Sequence, residues 1–301
     1  MNVTNQITLD GALFNGLRAH RPMEAKGAGD VLKTIEDAQG DPFCTPQTGT
    51  PADAFGRVQG RHSITASNVA KYDGHHGLVV FDTHNPLQFT QEQVADYLET
   101  GLAWARKAHH HDKAAKYYFF MWNCLWKSGA SIIHGHAQMT LGRGMHYAKV
   151  EAWRRAAQLY RLGYGVNYFD DLYQTHRALG LGLQAGNGVR ALAYLTPVKE
   201  KEVLLIAERP NAALSEAVYR TLQAFVERLG VLSFNVALYM RPLDSVQEDW
   251  NGFPVIVRLV DRGDPNNRTA DMGAMELYAS SVIASDPFRV AEALQAAFAK
   301  G

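Results

Sequence analysis

Cysteine is scarce in this 301-residue chain, where Cys44 and Cys124 are the only two. Two thiols cannot make a disulfide framework, so a reducing compartment is expected. Net charge is lacking as well, with 30 Lys+Arg against 30 Asp+Glu. A chain without a broad positive field is not built to hold nucleic acid, although one local phosphate site needs no net charge. No apolar run reaches the ~18 residues that a membrane helix needs. The opening MNVTNQITLD has neither the basic nor the apolar block of a signal peptide. The expectation is a cytoplasmic protein with no nucleic-acid or membrane partner. Histidine is missing from one region only. Twelve occur, at 20, 62, 75, 76, 84, 109, 110, 111, 134, 136, 146 and 176, and the last 125 residues have none. Imidazole chemistry therefore belongs to the first half.

Hydrophobic residues make up 47%, which suits a packed protein. The length is beyond the size at which one core usually stops growing, so two lobes or two repeats are expected. A pattern does occur twice. Phe55–Asn68 reads as a strand and its exit, and His76–Phe81 as a buried strand. A helix follows from Thr90, where Thr90 and Gln93 form a capping box and Val94, Tyr97, Leu98, Leu102 and Ala105 make an apolar stripe. Tyr117–Asn123 and Ser131–Leu141 read as strands around the loop Leu125–Gly129. The second half repeats the order: Ala191–Thr196 and Val203–Ala207 as a hairpin, a helix near Ser215, then strands Ser233–Met240 and Pro254–Val260. Helices are expected at Ala148–Leu162, Tyr168–Leu179 and Pro287–Ala299, the last behind Asp286 as N-cap. The fold class is α+β with two related β-β-α-β-β halves, mainly antiparallel sheets and flanking helices, divided as 1–147 and 148–301.

The segment Asn123–Gln138, NCLWKSGASIIHGHAQ, carries most information. Along a strand, residues two apart share a face, so His134, His136 and Gln138 line one side. Gly135 weakens a strand, so a close backbone approach is its expected reason. Upstream, the loop Lys127–Ser131 offers backbone N–H groups and two hydroxyls, a cradle for phosphate oxygens. An H-x-H pair also suits a metal site or two hydrogen-bonded surface residues, and these readings stand beside the catalytic one.

This segment resembles the H-x-H-x-Q signature of the histidine-triad superfamily's transferase branch, which includes galactose-1-phosphate uridylyltransferases and dinucleoside tetraphosphate phosphorylases. Asn123 and Ser131 stand 13 and five residues before His136, as in the uridylyltransferase pattern. Asn68-Val-Ala-Lys-Tyr72 with Gly74-His-His76 resembles the family's N-x-x-P-Y-x-x-G-H-H. The resemblance covers residues 40–141 well and the second half weakly. It implies that His136 is the nucleophile and forms a covalent nucleotidyl-histidine, with Gln138, Ser131 and Asn123 donating to the phosphoryl group. It implies that Ser128, Gly129, Ala130, Asn68, Tyr72 and His76 hold phosphate or nucleotide.

In the uridylyltransferases a C-P-x-C pair, a later His and the first His of the motif often hold zinc. Here the corresponding set is Asp41, Cys44, His84 and His134, and a carboxylate is an accepted zinc ligand in place of thiolate. A relic of hydrogen-bonded side chains is the other reading. No organic cofactor is implied. The family's iron site, built from histidines and a Glu in the second half, cannot be present in its usual form. Asp271–Glu276 faintly resembles the family's C-terminal G-x-E. Arg258, Arg262 and Arg268 read as a solvated basic face, with phosphate contact as the alternative. His109–His111 close a helix as dipole partners. Of His75 and His76, one orients the site or packs, and Phe55 and Tyr72 wall a base pocket or belong to the core.

The resemblance implies a homodimeric nucleotidyltransferase that moves a nucleotide from a sugar nucleotide to a sugar 1-phosphate. A dinucleoside polyphosphate or sugar-nucleotide phosphorylase, with phosphate as acceptor (ATP/ADP adenylyltransferase-like), uses the same residues. A non-catalytic nucleotide-binding protein is the third class.

Overall fold

In the computed structural model, residues 1–17, 29–71, 73–267, 269 and 272–299 are described. Two short strands, β1 (Asn2–Thr4) and β2 (Gly11–Phe14), begin the chain, and helices α1 (Val31–Asp37) and α2 (Pro46–Gly49) follow. The first half then runs β3 (Ser63–Ser67), β4 (His75–Phe81), α3 (Gln91–His111), β5 (Ala115–Cys124) and β6 (His136–Arg143). Two helices, α4 (Ala148–Tyr164) and α5 (Tyr168–Ala178), lead to β7 (Gly182–Gln184). The second half runs β8 (Val189–Ala193), β9 (Val203–Ala207), α6 (Ala212–Gln223), β10 (Phe234–Tyr239) and β11 (Val255–Asp261). The chain closes with α7 (Ala274–Tyr278), β12 (Ser281–Ile283) and α8 (Pro287–Phe298). No helix among the described residues is long and apolar enough to cross a membrane.

Nine strands form one sheet in the order β3-β4-β6-β5-β10-β11-β9-β8-β7. Each half contributes the same local order, β3-β4-β6-β5 and β8-β9-β11-β10. The halves join where β5 and β10 pair antiparallel, from Phe234↔Cys124 to Tyr239↔Phe119. The fold is α+β with mainly antiparallel pairing, as the sequence pattern indicates.

The two faces of the sheet are treated differently. On one face lie α3 and α6. Thr90 and Gln93 form the expected capping box at the start of α3. Its stripe Val94, Tyr97, Trp104 and Ala105 packs with Leu214, Val218 and Leu222 of α6 onto Tyr118, Phe120 and Trp122 of β5 and Ala137, Met139 and Leu141 of β6. Each buried aromatic removes roughly 150–250 Å² from water, about 4–6 kcal/mol at ~25 cal/mol/Å² before entropy. The opposite face of the second half is covered by α4 and α5, whose Trp153, Phe169, Leu172 and Tyr173 pack on Leu204, Ile206, Tyr239 and Ile256. The opposite face of the first half carries only a small apolar group, Phe43, Ile64, Ala66, Leu78 and Val80. The α4–α5 layer lies over the other half; this half-face holds His136 and Gln138, and its Ile64, Ala66, Leu78, Val80 and His136 are all buried.

Three sequence expectations change. The Ser131–Leu141 strand begins only at His136, so His134 precedes it. Two rungs tie the residues before it to the exit of β4: Phe81 N–H donates to Gly135 O at 3.0 Å and Gly135 N–H to His84 O at 3.0 Å. The loop that carries His84 occupies the place where further pairing would run. Of Phe55–Asn68 only Ser63–Ser67 is strand, and α6 starts three residues before Ser215, behind the N-cap Asn211.

Arg258 is not on a solvated basic face. Its guanidinium pairs with the fully buried Glu202 carboxylate at 2.5 Å and lies over the Trp153 ring at 4.7 Å. Removing one partner leaves the other charge buried and uncompensated. Arg258→Met is expected to cost about 3–5 kcal/mol of stability, read as a lower urea midpoint. Adding Glu202→Leu should recover most of it, and an unchanged midpoint in the single variant would contradict this account.

Candidate active site

His136 opens β6 on the half-face without the α4–α5 layer, with Val80 of β4 opposite it. Trp122 of β5 pairs with Ala137, so Asn123 stands beside His136 across the strand pair. The imidazole is buried, and its Nδ1 lies 2.8 Å from the carbonyl oxygen of His134. A carbonyl only accepts, so Nδ1 carries the proton and Nε2 keeps its lone pair. Nε2 has no hydrogen bond to the described residues. Burial pushes the His136 pKa down, and the bond to the His134 carbonyl offsets part of that. Burial keeps the ring neutral, and its own backbone fixes the tautomer.

Gln138, next on the same face, sits opposite Leu78 and Met121. Its Oε1 lies 2.9 Å from His76 Nε2 and 3.4 Å from Asn68 Nδ2. Asn68 Oδ1 accepts from the Ala70 N–H at 2.9 Å, which turns the Asn68 amide nitrogen toward this pair. Asn68 Nδ2 also lies 3.0 Å from His76 Nε2, so Asn68, His76 and Gln138 form one polar cluster. His76 is fully buried, and burial lowers its pKa. His75 points the other way and pairs with Asp112 at 2.7 Å, holding that carboxyl down at about 2.

The loop after β5 differs from the expected cradle. Ser128 N–H donates to Leu125 O, Gly129 N–H to Trp126 O and Ala130 N–H to Leu125 O, while Ser128 Oγ donates to Leu125 O at 2.7 Å. These groups close a 3₁₀ turn, with Leu125 at φ 66° and Gly129 at φ 99°. Ser128, Gly129 and Ala130 thus shape the turn with the donors they were expected to offer phosphate. Ser131 is exposed beyond it. The turn is clasped by the second half. Trp126 Nε1 donates to Pro265 O at 2.9 Å, and Lys127 Nζ donates to Asn267 O and Thr269 O.

Asp41, Cys44, His84 and His134 converge, each offering one ligand atom within 4.8 Å of the others. His84 Nε2 donates to Ile35 O at 2.8 Å, and His134 Nε2 donates to Phe81 O at 2.9 Å. Both Nδ1 atoms therefore carry lone pairs, yet they lie 3.1 Å apart and each 3.5 Å from Cys44 Sγ. One S–H can satisfy only one of them. Asp41 Oδ2 is buried without a hydrogen bond among the described residues and lies 3.9 Å from His84 Nδ1. Tetrahedral bonds of about 2.0–2.3 Å place ligand atoms roughly 3.3–3.8 Å apart, close to the 3.1–3.9 Å found here between the two imidazoles and from them to Cys44 and Asp41. The backbone carbonyls on both Nε2–H groups are the partners that metal-binding imidazoles use. The donor set fits a cation such as zinc.

Phe43, between Asp41 and Cys44, brings its ring edge-on to His136 with centroids 5.0 Å apart. From it an open groove of about 490 Å³ runs past Cys44, Gln59, Arg61, His62 and Ile64. Phe55 packs with Trp104 and His111 on the helix-covered face, so it walls no base pocket on this side. Tyr72, Arg268 and Asp271 lie outside the described residues.

No protein-family model and no curated protein matches the chain. Solved structures do share its fold. An ADP-glucose phosphorylase from Arabidopsis thaliana with bound ADP-glucose has TM-score 0.74 at 14% identity, covering 98% of this chain and 97% of that one. A galt-like protein from Arabidopsis thaliana has TM-score 0.71 at 14% identity, covering 98% of each. A uridylyltransferase has TM-score 0.67 at 18% identity, covering 100% of this chain and 99% of that one. The chain shares the fold of these proteins.

Sequence reasoning passed over Asn235 of β10. Its Nδ2 donates to Asn123 Oδ1 at 2.7 Å and to Ser128 O at 3.0 Å, and Arg262 Nη1 donates to its Oδ1. The signal was an Asn in mid-strand, a residue depleted there.

Gly135 makes the close approach expected of it: an added Cβ would lie 2.7 Å from Phe81 Cδ2 and 3.0 Å from Thr83 O. Gly135→Ala is expected to lose about 1–3 kcal/mol, as overpacking does. Urea unfolding checks this, and an unchanged midpoint would show that Phe81 yields without cost.

Proposed function

We propose that this chain is a nucleotidyltransferase working through a covalent nucleotidyl-His136. The observation that carries the reading is the Nδ1–H···O=C bond to His134, which leaves Nε2 as a neutral nucleophile on the half-face without the α4–α5 layer. Nε2 attacks the α-phosphorus of a sugar nucleotide. A P–N bond forms, the diphosphate P–O bond breaks, and a sugar 1-phosphate leaves. The positive charge then on the ring is stabilised by the His134 carbonyl. An oxygen of a second phosphate compound attacks the same phosphorus, and the imidazole departs neutral. Gln138, Asn123 and Ser131 donate hydrogen bonds to the phosphoryl oxygens while charge develops. The apolar group Phe43, Ile64, Leu78 and Val80 offers a wall for the base. Asn68 and His76 act by orienting Gln138.

We also propose zinc for the Asp41, Cys44, His84 and His134 set, where it would supply a structural crosslink between the Phe43 turn and the His134 backbone. The reading carries with it a homodimer in a reducing cytoplasm and a working division at 147/148, as the resemblance implies.

Phosphate as acceptor, which would make the chain a sugar-nucleotide phosphorylase, has its own support. One structure of the same fold is an ADP-glucose phosphorylase, and the second half's equivalent face is filled by α4 and α5.

Wild-type protein incubated with radiolabelled UDP-glucose, ADP-glucose, GDP-hexose or diadenosine tetraphosphate should take up acid-labile nucleotide label. Adding phosphate or a sugar 1-phosphate should discharge it, and the discharging acceptor separates the two readings. His136→Ala should take up none, and labelling of that variant would defeat the mechanism. Metal analysis of the purified protein should find about one equivalent of zinc, falling in His84→Ala, by the ligand chemistry above. Less than about a tenth of an equivalent in the wild type would sink the zinc assignment.

A further inference from the structure

We propose that Arg262, with Asn235, is a positioning residue that sets the polarity of Asn123 in the phosphoryl site. The inference rests on the reading of His136 given above. An Asn side chain can be turned over, exchanging donor for acceptor, and only its hydrogen-bond network decides which way it lies. A phosphoryl group in transfer presents acceptor oxygens alone, so Asn123 helps only if its N–H₂ faces them. Asn123 cannot ensure this by itself.

The decision is made two residues away. A guanidinium has donors and no acceptor. Arg262 Nη1 donates to Asn235 Oδ1, so the Asn235 amide nitrogen must point the other way. That nitrogen donates to Asn123 Oδ1 at 2.7 Å and to Ser128 O at 3.0 Å. Both of these partners are acceptors, which agrees with the direction that Arg262 imposes. The Asn123 carbonyl is thereby occupied, and its N–H₂ is the end that a ligand beside His136 meets. Arg262 Nη1 also reaches Ser128 O at 3.4 Å, so one cation orients both amides and the turn. Register supports the arrangement. Asn235 is the direct partner of Asn123 across the β5–β10 junction, and Arg262 follows the end of β11, opposite Ser233. The half without histidines in its strands thus supplies the polarity of a donor in the other half.

Asn235→Asp tests the relay. One carboxylate oxygen keeps the Arg262 contact, while the other faces Asn123 as an acceptor and obliges its amide to turn over. The rate of nucleotide labelling should fall about 100-fold, the scale of losing one preorganised donor, with KM for the sugar nucleotide little changed. The urea midpoint should fall little, because an Arg–carboxylate pair offsets the lost bond to Ser128 O. In an Asn123→Ala background the same substitution should change the rate less than about threefold, since there is no amide left to turn. An equal drop in both backgrounds would mean that the new charge acts directly, and would overturn the relay, as would no drop in either. Should Asn235→Asp fail to fold, Arg262→Met in the same two backgrounds gives the same comparison, with about a tenfold loss expected only where Asn123 is present. If His136→Ala labels as well as the wild type, the reading of the site falls and the relay with it. If labelling needs His136 but the penalty ignores Asn123, the relay alone is overturned.

Discussion

One backbone carbonyl, that of His134, is the point on which the rest of the site turns. It accepts from His136 Nδ1 and so decides which nitrogen of that imidazole carries a lone pair. The same residue sends its own Nδ1 into the cluster with Cys44, His84 and Asp41 and its Nε2–H to the Phe81 carbonyl. Side chain and main chain of a single residue therefore join the cluster, the β4 exit and His136. Gly135 makes this possible, because any side chain there would meet Phe81 and Thr83.

Around that point the fold separates what must be dry from what must be reached. Both halves have the same strand order, and both put a long helix on the same face of the sheet. On the other face α4 and α5 seal the second half with aromatic side chains over the Arg258–Glu202 pair. The first half lacks that aromatic layer, and a few buried apolar residues lie there beside a row of polar ones. A pseudo-symmetric sheet thus yields one site, and the sealed half acts as its support through the contacts of Trp126, Lys127, Asn235 and Arg262. The absence of histidine from the last 125 residues agrees with that division.

Much of this was legible in the residues alone. Periodicity and capping showed the β-β-α-β-β order twice, because burial on one face repeats at 2.0 residues in strands and 3.6 in helices. The types and spacing of Asp41, Cys44, His84 and His134 pointed to a cluster that the structure brings together. What the chain alone could not show was direction. Local pattern started the strand at Ser131 and so placed His134 on it with His136, yet with the loop that carries His84 alongside, the strand begins only at His136. Local pattern offered the N–H groups of Ser128, Gly129 and Ala130 to phosphate, yet the turn closes on them. The tautomer of His136, the orientation of Asn123 and the burial of Arg258 were settled only by tertiary structure. Each depends on a hydrogen bond or ion pair to a group brought close by another strand or turn, and a sequence states what a residue can donate or accept but not which partner meets it.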